Sequence, residues 1–261
     1  MTLELYHFHG ATCGLKARLA LAEKGAEYTG HAVERPYLRT PEYLKLNANG
    51  VVPTLIHDSH VIVESSVVIN YVDDAFPGPP LKPDSALGVA GTWWWMKRAD
   101  ECLAMIGTLT YTVSMRPGIL AKSPEDLEAY IEGTPNAALR GRRHRMIELG
   151  YDSPDFPVAL ESLDKMLSDM EAALAGGDWL AGADHSLADT AMSPLVERLD
   201  ELACNRMWRD TRPRLAGWWE RIRTRASYAA CLGETPNPEK PQHRAAGENA
   251  WPEIKRRLNS L

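Results

Sequence analysis

The chain has 261 residues, of which 44% are hydrophobic and 25% charged, with 19 glycines and 18 prolines. This ordinary globular composition excludes disordered, collagen-like and fibrous proteins, and the length allows one large domain or two of modest size. A formal net charge of -6 argues against a general nucleic-acid binder and gives no reason to expect a membrane surface as partner.

Four cysteines are spread along the sequence without a C-x-x-C pair, at Cys13, Cys102, Cys204 and Cys231. A secreted chain held by disulfides would carry a denser set, so we expect a reduced, cytoplasmic protein. The opening MTLELYHFHG has neither a basic n-region nor an apolar h-region, and no stretch of 18 apolar residues follows. We therefore expect neither a signal peptide nor a membrane span.

Hydrophobic patterns in the first eighty residues predict the order β-α-β-α-β-β-α. The predicted strands are 3–8, 27–33, 52–56 and 60–63, and the predicted helices are 15–24, 43–46 and 64–75. Strands that alternate with helices and end in a hairpin and a closing helix predict a small mixed sheet covered by helices.

The segment FPGPPLKPD at 76–84 contains four prolines and predicts a linker between two domains, 1–79 and 85–261. Helical patterns then dominate, at 87–111, 124–132, 157–174, 187–202, 213–226 and 252–261. The segment 116–157 is rich in glycine, proline and charge and is expected to interrupt this succession. The fold class is therefore α+β, with an all-α second domain.

Three short patterns could carry chemistry. Pro53 enters a strand, where a proline belongs at an edge or at the first position. A cis Val52–Pro53 bond would expose the backbone of Val52 to an extended peptide, whereas an ordinary trans edge proline is the commoner alternative.

Glu64 and Ser65 open a helix whose free amides can bind an anion, although simple capping explains them as well. Thr12 and Cys13 stand before the first helix, where a thiol pKa is lowered, or where Thr12 only caps the helix.

A fourth pattern is structural. Ser186 and Asp189 fit the S-x-x-D form of a capping box, which explains them without the metal or acid–base role that nearby Asp184 and His185 would suggest. We therefore expect no metal site.

Taken in order, these elements resemble the cytosolic glutathione transferase family. The stretch LNANGVVPTL at 46–55 is similar to the family's L-N-P-x-G-x-V-P-x-L signature, with Ala48 in place of the usual proline. Within the family, the opening MTLELYHF, the Leu15-Lys16 pair, YVDDAFP at 71–77 and the insertion 116–157 are similar to the bacterial lignin β-aryl-etherase type.

The resemblance implies a thioredoxin-like first domain, glutathione as co-substrate and a homodimer. It implies that Val52 pairs with the cysteinyl part of glutathione beside a cis Pro53, that Glu64 and Ser65 hold the γ-glutamyl end, and that Asn49 and Val51 lie beside the tripeptide. Arg39 is then a candidate for the glycyl carboxylate.

The group that stabilises the glutathione thiolate stays open. Many members place Ser or Tyr after the first strand, whereas this chain has HGATCG at 9–14. Thr12 or Cys13 could donate the hydrogen bond, Cys13 could form a mixed disulfide, or the backbone amides of the helix could act alone.

A flat apolar electrophile is expected between the domains, where the substrate-binding candidates are Trp94, Tyr111, Met115 and Trp208. The predicted reaction is attack of glutathione on that electrophile, with cleavage of a β-aryl ether or conjugation such as epoxide opening, in lignin degradation or detoxification. The alternatives are a Cys13-dependent thiol transferase and a non-catalytic binding protein. All eight tryptophans lie beyond residue 84, and three consecutive ones, 93–95, cannot share one helix face.

Overall fold

The computed structural model describes residues 2–134, 136–233 and 236–260. Its sheet contains β1 (Leu3–His7), β2 (Thr29–Ala32), β3 (Thr54–His57) and β4 (His60–Val63) in the order β2-β1-β3-β4. Strands β1 and β2 are parallel, and the other neighbouring pairs are antiparallel. The helices between them are α1 (Thr12–Glu23), α2 (Pro41–Leu46) and α3 (Ser65–Ala75). The predicted β-α-β-α-β-β-α order and the thioredoxin-like first domain are confirmed.

Alternation along β1 fixes which face of the sheet meets α1 and α3. Leu3, Leu5 and His7 are buried, whereas the residues between them are half-exposed. Helix α1 fills the crossover between parallel β1 and β2, as such a connection requires. Every residue of α1 from Gly14 to Leu21 is buried, so this helix lies inside the molecule and does not cover its surface.

The rest of the described chain is predominantly helical and confirms the predicted all-α domain. Its helices are α4 (Ala86–Thr110), α5 (Arg116–Leu120), α6 (Pro124–Glu132), α7 (Ala137–Leu149), α8 (Asp155–Ala173), α9 (Leu187–Glu201), α10 (Pro213–Arg223), α11 (Ala226–Gly233) and α12 (Lys240–Leu258). A π-helical turn, Tyr111–Met115, joins α4 to α5. None of the helices in the described ranges is long and apolar enough to span a bilayer.

Two sequence predictions in this domain were wrong. The segment 116–157 does not interrupt the helices but forms α5, α6 and α7, because Pro117 and Pro124 occupy first-turn positions and Asn136 caps α7. The last helix begins at Lys240, twelve residues before Pro252. Its first turns are too polar to give an apolar period, so the proline looked like a helix start.

The Ser186–Asp189 capping box is confirmed, and it also ties three segments together. Ser186 N–H donates to the carboxylate of Asp189 at 3.0 Å, Leu180 N–H at 3.0 Å and Trp218 Nε1 at 2.8 Å. All of these bonds are buried, so this carboxylate connects α9 to α10 and to the loop before α9.

Replacing Asp189 with Ala is expected to destabilise the fold. The change leaves the buried donors of Ser186, Leu180 and Trp218 without their acceptor, and each such donor costs about 1–3 kcal/mol. We expect the free energy of unfolding, measured by urea denaturation, to fall by about 3 kcal/mol or more. Asp184→Ala removes an exposed carboxylate next to the same helix and is the control; equal midpoints for the two variants would refute the role given to Asp189.

Candidate functional site

The loop before β3 presents an unpaired backbone segment. The Val52–Pro53 peptide is cis, as the family resemblance implied and as the residues alone had left open. Tyr43 Oη and Asn47 Nδ2 donate to the carbonyl of Val51 at 2.7 and 2.9 Å and hold the loop in place. Within the described residues, the backbone N–H and C=O of Val52 make no hydrogen bond to protein. They are therefore available to an extended peptide.

The start of α3 lies next to this loop. The register pairs Thr54 with Val63, which brings Pro53 alongside Glu64. Glu64 precedes the helix with a φ of 68°, an uncommon conformation for a residue with a side chain, and Asn49 Nδ2 lies 3.4 Å from its Oε1. The amides of Ser65 and its two successors precede the first intrahelical bond, from Val68 to Glu64. These groups form one polar edge that suits a zwitterionic amino-acid end.

The first turn of α1 supplies a second set of free amides. The first intrahelical bond runs from Leu15 N–H to Ala11 O, and Ala11 makes no side-chain cap. The amides of Thr12, Cys13 and Gly14 therefore have no intrahelical acceptor. Together with the helix dipole, they can stabilise an anion at this end of α1.

Thr12 and Cys13 lie on different sides of α1. The Cys13 thiol faces α3, where Ser65 hydrogen-bonds it and Lys16 interacts with it electrostatically. Burial nevertheless raises the pKa of the Cys13 thiol, contrary to the lowered pKa expected from its place at a helix start. Thr12 faces the helical domain and lines a small cavity with Gly10, Arg198, Asn237 and others.

From the sequence, Lys16 was cited only for the family resemblance and had no predicted role in the site. Its side chain is buried, and its ammonium lies 2.9 Å from Asp100 Oδ1 on α4 and 3.1 Å from Ser66 Oγ. A buried lysine requires such partners. The contact fixes α1 and α3 against α4 near the polar edge. It could not be predicted from the sequence alone, because it depends on which faces of the three helices meet in the fold.

Arg39 points away from the polar edge. Its guanidinium donates to Tyr130 O at 3.3 Å and Thr134 Oγ1 at 3.5 Å and lies 5.7 Å from the Tyr130 ring centroid. These contacts give no support to the expected glycyl-carboxylate role. They tie the loop between β2 and α2 to the end of α6.

Tyr111 and Met115 share a cluster with apolar residues of α5, α6 and α7, namely Ile119, Leu127, Ile131 and Ile147. The hydroxyl of Tyr111 lies 2.7 Å from that of Tyr130. Burial and the neighbouring Tyr111 raise the pKa of Tyr130 well above its usual value, so this tyrosine stays neutral. The helix 124–132 was predicted from the sequence, but Tyr130 was not singled out, because only the folded chain brings its hydroxyl next to Tyr111.

Two of the expected substrate residues do not belong to this cluster. Trp208 is 2% exposed and packs in the core, because the turn that follows α9 directs its ring inward; it cannot line an open pocket. Trp94 is 50% exposed but precedes Tyr111 by 17 residues of continuous helix, or about 25 Å at 1.5 Å per residue. A small substrate cannot touch both, and the four expected residues do not form one pocket.

The run of three tryptophans divides as the helical period requires. Trp93 and Trp94 are exposed, whereas Trp95 is buried and donates from Nε1 to Leu180 O at 3.0 Å. The described residues contain no cluster of three or more His, Cys, Asp or Glu that could hold a metal ion.

Comparison with protein families gives two successive matches. The model for the glutathione S-transferase N-terminal domain covers residues 1–74, and the model for the C-terminal domain covers residues 113–226. The chain belongs to the glutathione S-transferase family. Both sets of free amides and the Val52 backbone lie within the first match. This is the part of the chain that was expected from the sequence to bind glutathione.

Relatives within the family share about a quarter of their residues with this chain. Tetrachloro-p-hydroquinone reductive dehalogenase of Sphingobium chlorophenolicum is 27% identical over 87% of this chain and 94% of its own length. Protein LigF of Sphingobium sp. (strain NBRC 103272 / SYK-6) is 28% identical over 86% and 91%. The crystal structure of β-etherase LigF from strain SYK-6 superposes with a TM-score of 0.81 at 25% identity, covering 90% of this transferase and all of that chain.

The raised pKa of Cys13 predicts slow alkylation. Since the thiolate is the reactive form, a raised pKa lowers its fraction at pH 7.5. We expect iodoacetamide to label the native wild type and the Cys13→Ala variant to the same extent, and the denatured variant to take up one label fewer. A fast-reacting thiol that disappears in the native variant would contradict this environment for Cys13.

Proposed function

We propose that this glutathione transferase cleaves β-aryl ethers by attack of the glutathione thiolate. The observation that carries the proposal is the likeness to β-etherase LigF along 90% of this chain, with a TM-score of 0.81. We further propose the domain limits 1–79 and 85–261, with the linker at 76–84. Four cysteines without disulfides support a reducing, cytoplasmic location.

Glutathione is placed along the polar edge. The Val52 backbone pairs with the cysteinyl residue beside Pro53, and Asn49 and Val51 flank the tripeptide. Glu64 and Ser65 hold the γ-glutamyl end, because the Glu64 carboxylate can bind its ammonium, and the Ser65 hydroxyl and the amides at the start of α3 can bind its carboxylate.

The thiolate is placed at the start of α1. A thiol with a pKa near about 8.5 is mostly protonated at pH 7, so stabilisation of the anion raises the reactive fraction. The amides of Thr12, Cys13 and Gly14 supply that stabilisation. The Thr12 side chain faces the helical domain, and the Cys13 thiol lies in surroundings that disfavour its own ionisation.

The reaction balances without a further reagent. The glutathione sulfur forms a bond to the carbon that bears the aryloxy group, the carbon–oxygen bond breaks, and its electron pair leaves with the oxygen. The aryloxide then takes a proton from water to give a phenol. The products are a thioether of glutathione and the phenol.

A homodimer is part of the proposal. The exposed apolar surface includes residues of β4, α3 and α4, namely Val61, Val67, Leu87, Trp93 and Trp94. Large apolar side chains exposed together mark a protein interface. Trp94 is therefore assigned to the subunit contact and not to the substrate.

The first test is turnover with glutathione and a β-aryl ether. We expect release of the phenol together with the glutathione thioether, and retention of this activity in Cys13→Ser. In the Ser65→Ala variant we expect the KM for glutathione to rise about tenfold or more, since a hydrogen bond to a charged group is worth about 1.5–3 kcal/mol.

Ser85→Ala is the control, because Ser85 caps α4 outside the polar edge. Turnover of a chlorinated hydroquinone or an epoxide but not of the ether would replace the proposed substrate. Binding of glutathione without any turnover would identify a non-catalytic binding protein, and dependence on the Cys13 thiol would identify a thiol transferase.

Charge placed in the apolar face should separate the subunits. Val67→Glu puts a carboxylate into the proposed contact, where desolvation would be costly. We expect this variant to sediment as a monomer of about half the wild-type mass. Val158→Glu on α8 makes the same change at an equally exposed valine and should leave a dimer; a wild type that sediments as a monomer would refute the assembly.

A further inference from the structure

Four arginines lie around the Tyr111–Tyr130 pair and the adjoining Thr134, and two of them are paired with carboxylates. Arg35 makes a bidentate ion pair with Glu239 at 2.8 and 3.1 Å. Arg140 lies 3.8 Å from Glu132. These two carboxylates therefore balance two of the four charges.

The other two, Arg39 and Arg143, converge on one hydroxyl. Arg143 donates to Thr134 Oγ1 at 2.9 Å, and Arg39 donates to the same atom at 3.5 Å. Neither guanidinium forms an ion pair with any carboxylate in the described ranges. Two like charges are thus held close together beside Tyr130, whose raised pKa keeps its hydroxyl neutral.

Donor capacity remains on these guanidinium groups. Arg143 Nε is buried without a hydrogen-bond partner among the described residues, and the guanidinium lies 5.2 Å from the Tyr111 ring centroid. Arg39 reaches its place because Gly133 has no side chain; a Cβ there would clash with Arg39 Nη1. The absence of a side chain at Gly133 therefore leaves the space that the Arg39 guanidinium occupies near Arg143.

Arg35 connects the Tyr111–Tyr130 pair to the segment that leads into the first turn of α1. Phe8 follows β1 immediately before that turn, and the Arg35 guanidinium lies 4.9 Å from its ring centroid. Arg35 also interacts electrostatically with Tyr111 and Tyr130. An aromatic ring beside Tyr111 would thus have the two unbalanced arginines within reach.

We propose that Arg39 and Arg143 bind an anionic substituent, such as a carboxylate, on the aromatic electrophile. Guanidinium groups bind planar oxyanions through paired, charge-assisted hydrogen bonds, and the apolar ring would pack against Tyr111 and Met115. This inference deepens the proposed function, since it assigns the substrate class of the same site. The substrate is an aromatic acid, not a neutral apolar compound.

The test measures binding of 4-benzyloxybenzoate and of its carboxamide by isothermal titration calorimetry, with glutathione present. The wild type is expected to bind the carboxylate at least tenfold more tightly than the amide. Arg143→Gln and Arg39→Gln should each reduce this ratio towards one. Arg143→Lys should restore part of it, which a merely structural role would not.

Arg142→Gln is the matched control, because it removes the same charge from the neighbouring position of α7. An unchanged ratio in both arginine variants, or no preference in the wild type, would overturn the inference. So would weaker glutathione binding at a constant ratio, since the anion held would then be the glycyl carboxylate. Selective binding of the carboxylate by a protein that cleaves no β-aryl ether would refute the proposed function and leave the anion site in place.

Discussion

Helix α1 is buried on every side, and the arrangement of the site depends on that burial. A helix inside the molecule has to satisfy its polar groups through tertiary contacts. Lys16 does so by pairing with Asp100 of α4 at 2.9 Å, and Arg18 does so by donating to the carbonyl of Cys231. Both contacts reach the helical domain. The first turn of α1 is therefore positioned by both halves of the chain.

The C-terminal part of the helical domain braces the loop that leads into α1. Arg198 of α9 donates to the carbonyl of Gly10, and His243 of α12 hydrogen-bonds the same guanidinium. Gly10 has a φ of 83°, and a Cβ there would collide with Asn237. Only glycine fits between these constraints, so its place in HGATCG reflects a distant contact as well as a turn.

Features set by neighbours in sequence were predictable, and features set by distant contacts were not. The capping box of Ser186 and Asp189 depends on a few adjacent residues, whereas the cis Val52–Pro53 bond was implied only by the family resemblance of the stretch 46–55. Trp208 was misplaced because its burial depends on how helices pack. Trp94 was misplaced although its distance from Tyr111 follows from the length of one predicted helix, 87–111. Helix α12 was predicted too short because its polar first half gives no period, although Glu239 directly before it pairs with Arg35 and His243 within it hydrogen-bonds Arg198.

The same distinction explains where substrate selectivity arises in this transferase. The polar edge, formed by the loop before β3 and the start of α3, can serve one constant co-substrate together with the first turn of α1. The wall proposed to bind the electrophile combines Arg39 from the first domain with Tyr111, Tyr130 and Arg143 from the helical domain. Shape alone would make that wall an apolar slot, because Tyr111 and Met115 lie in an apolar cluster and Tyr130 stays neutral. Two unbalanced guanidinium groups add a charge requirement that a neutral ring cannot meet, and electrostatic complementarity of this kind discriminates between ligands of equal size.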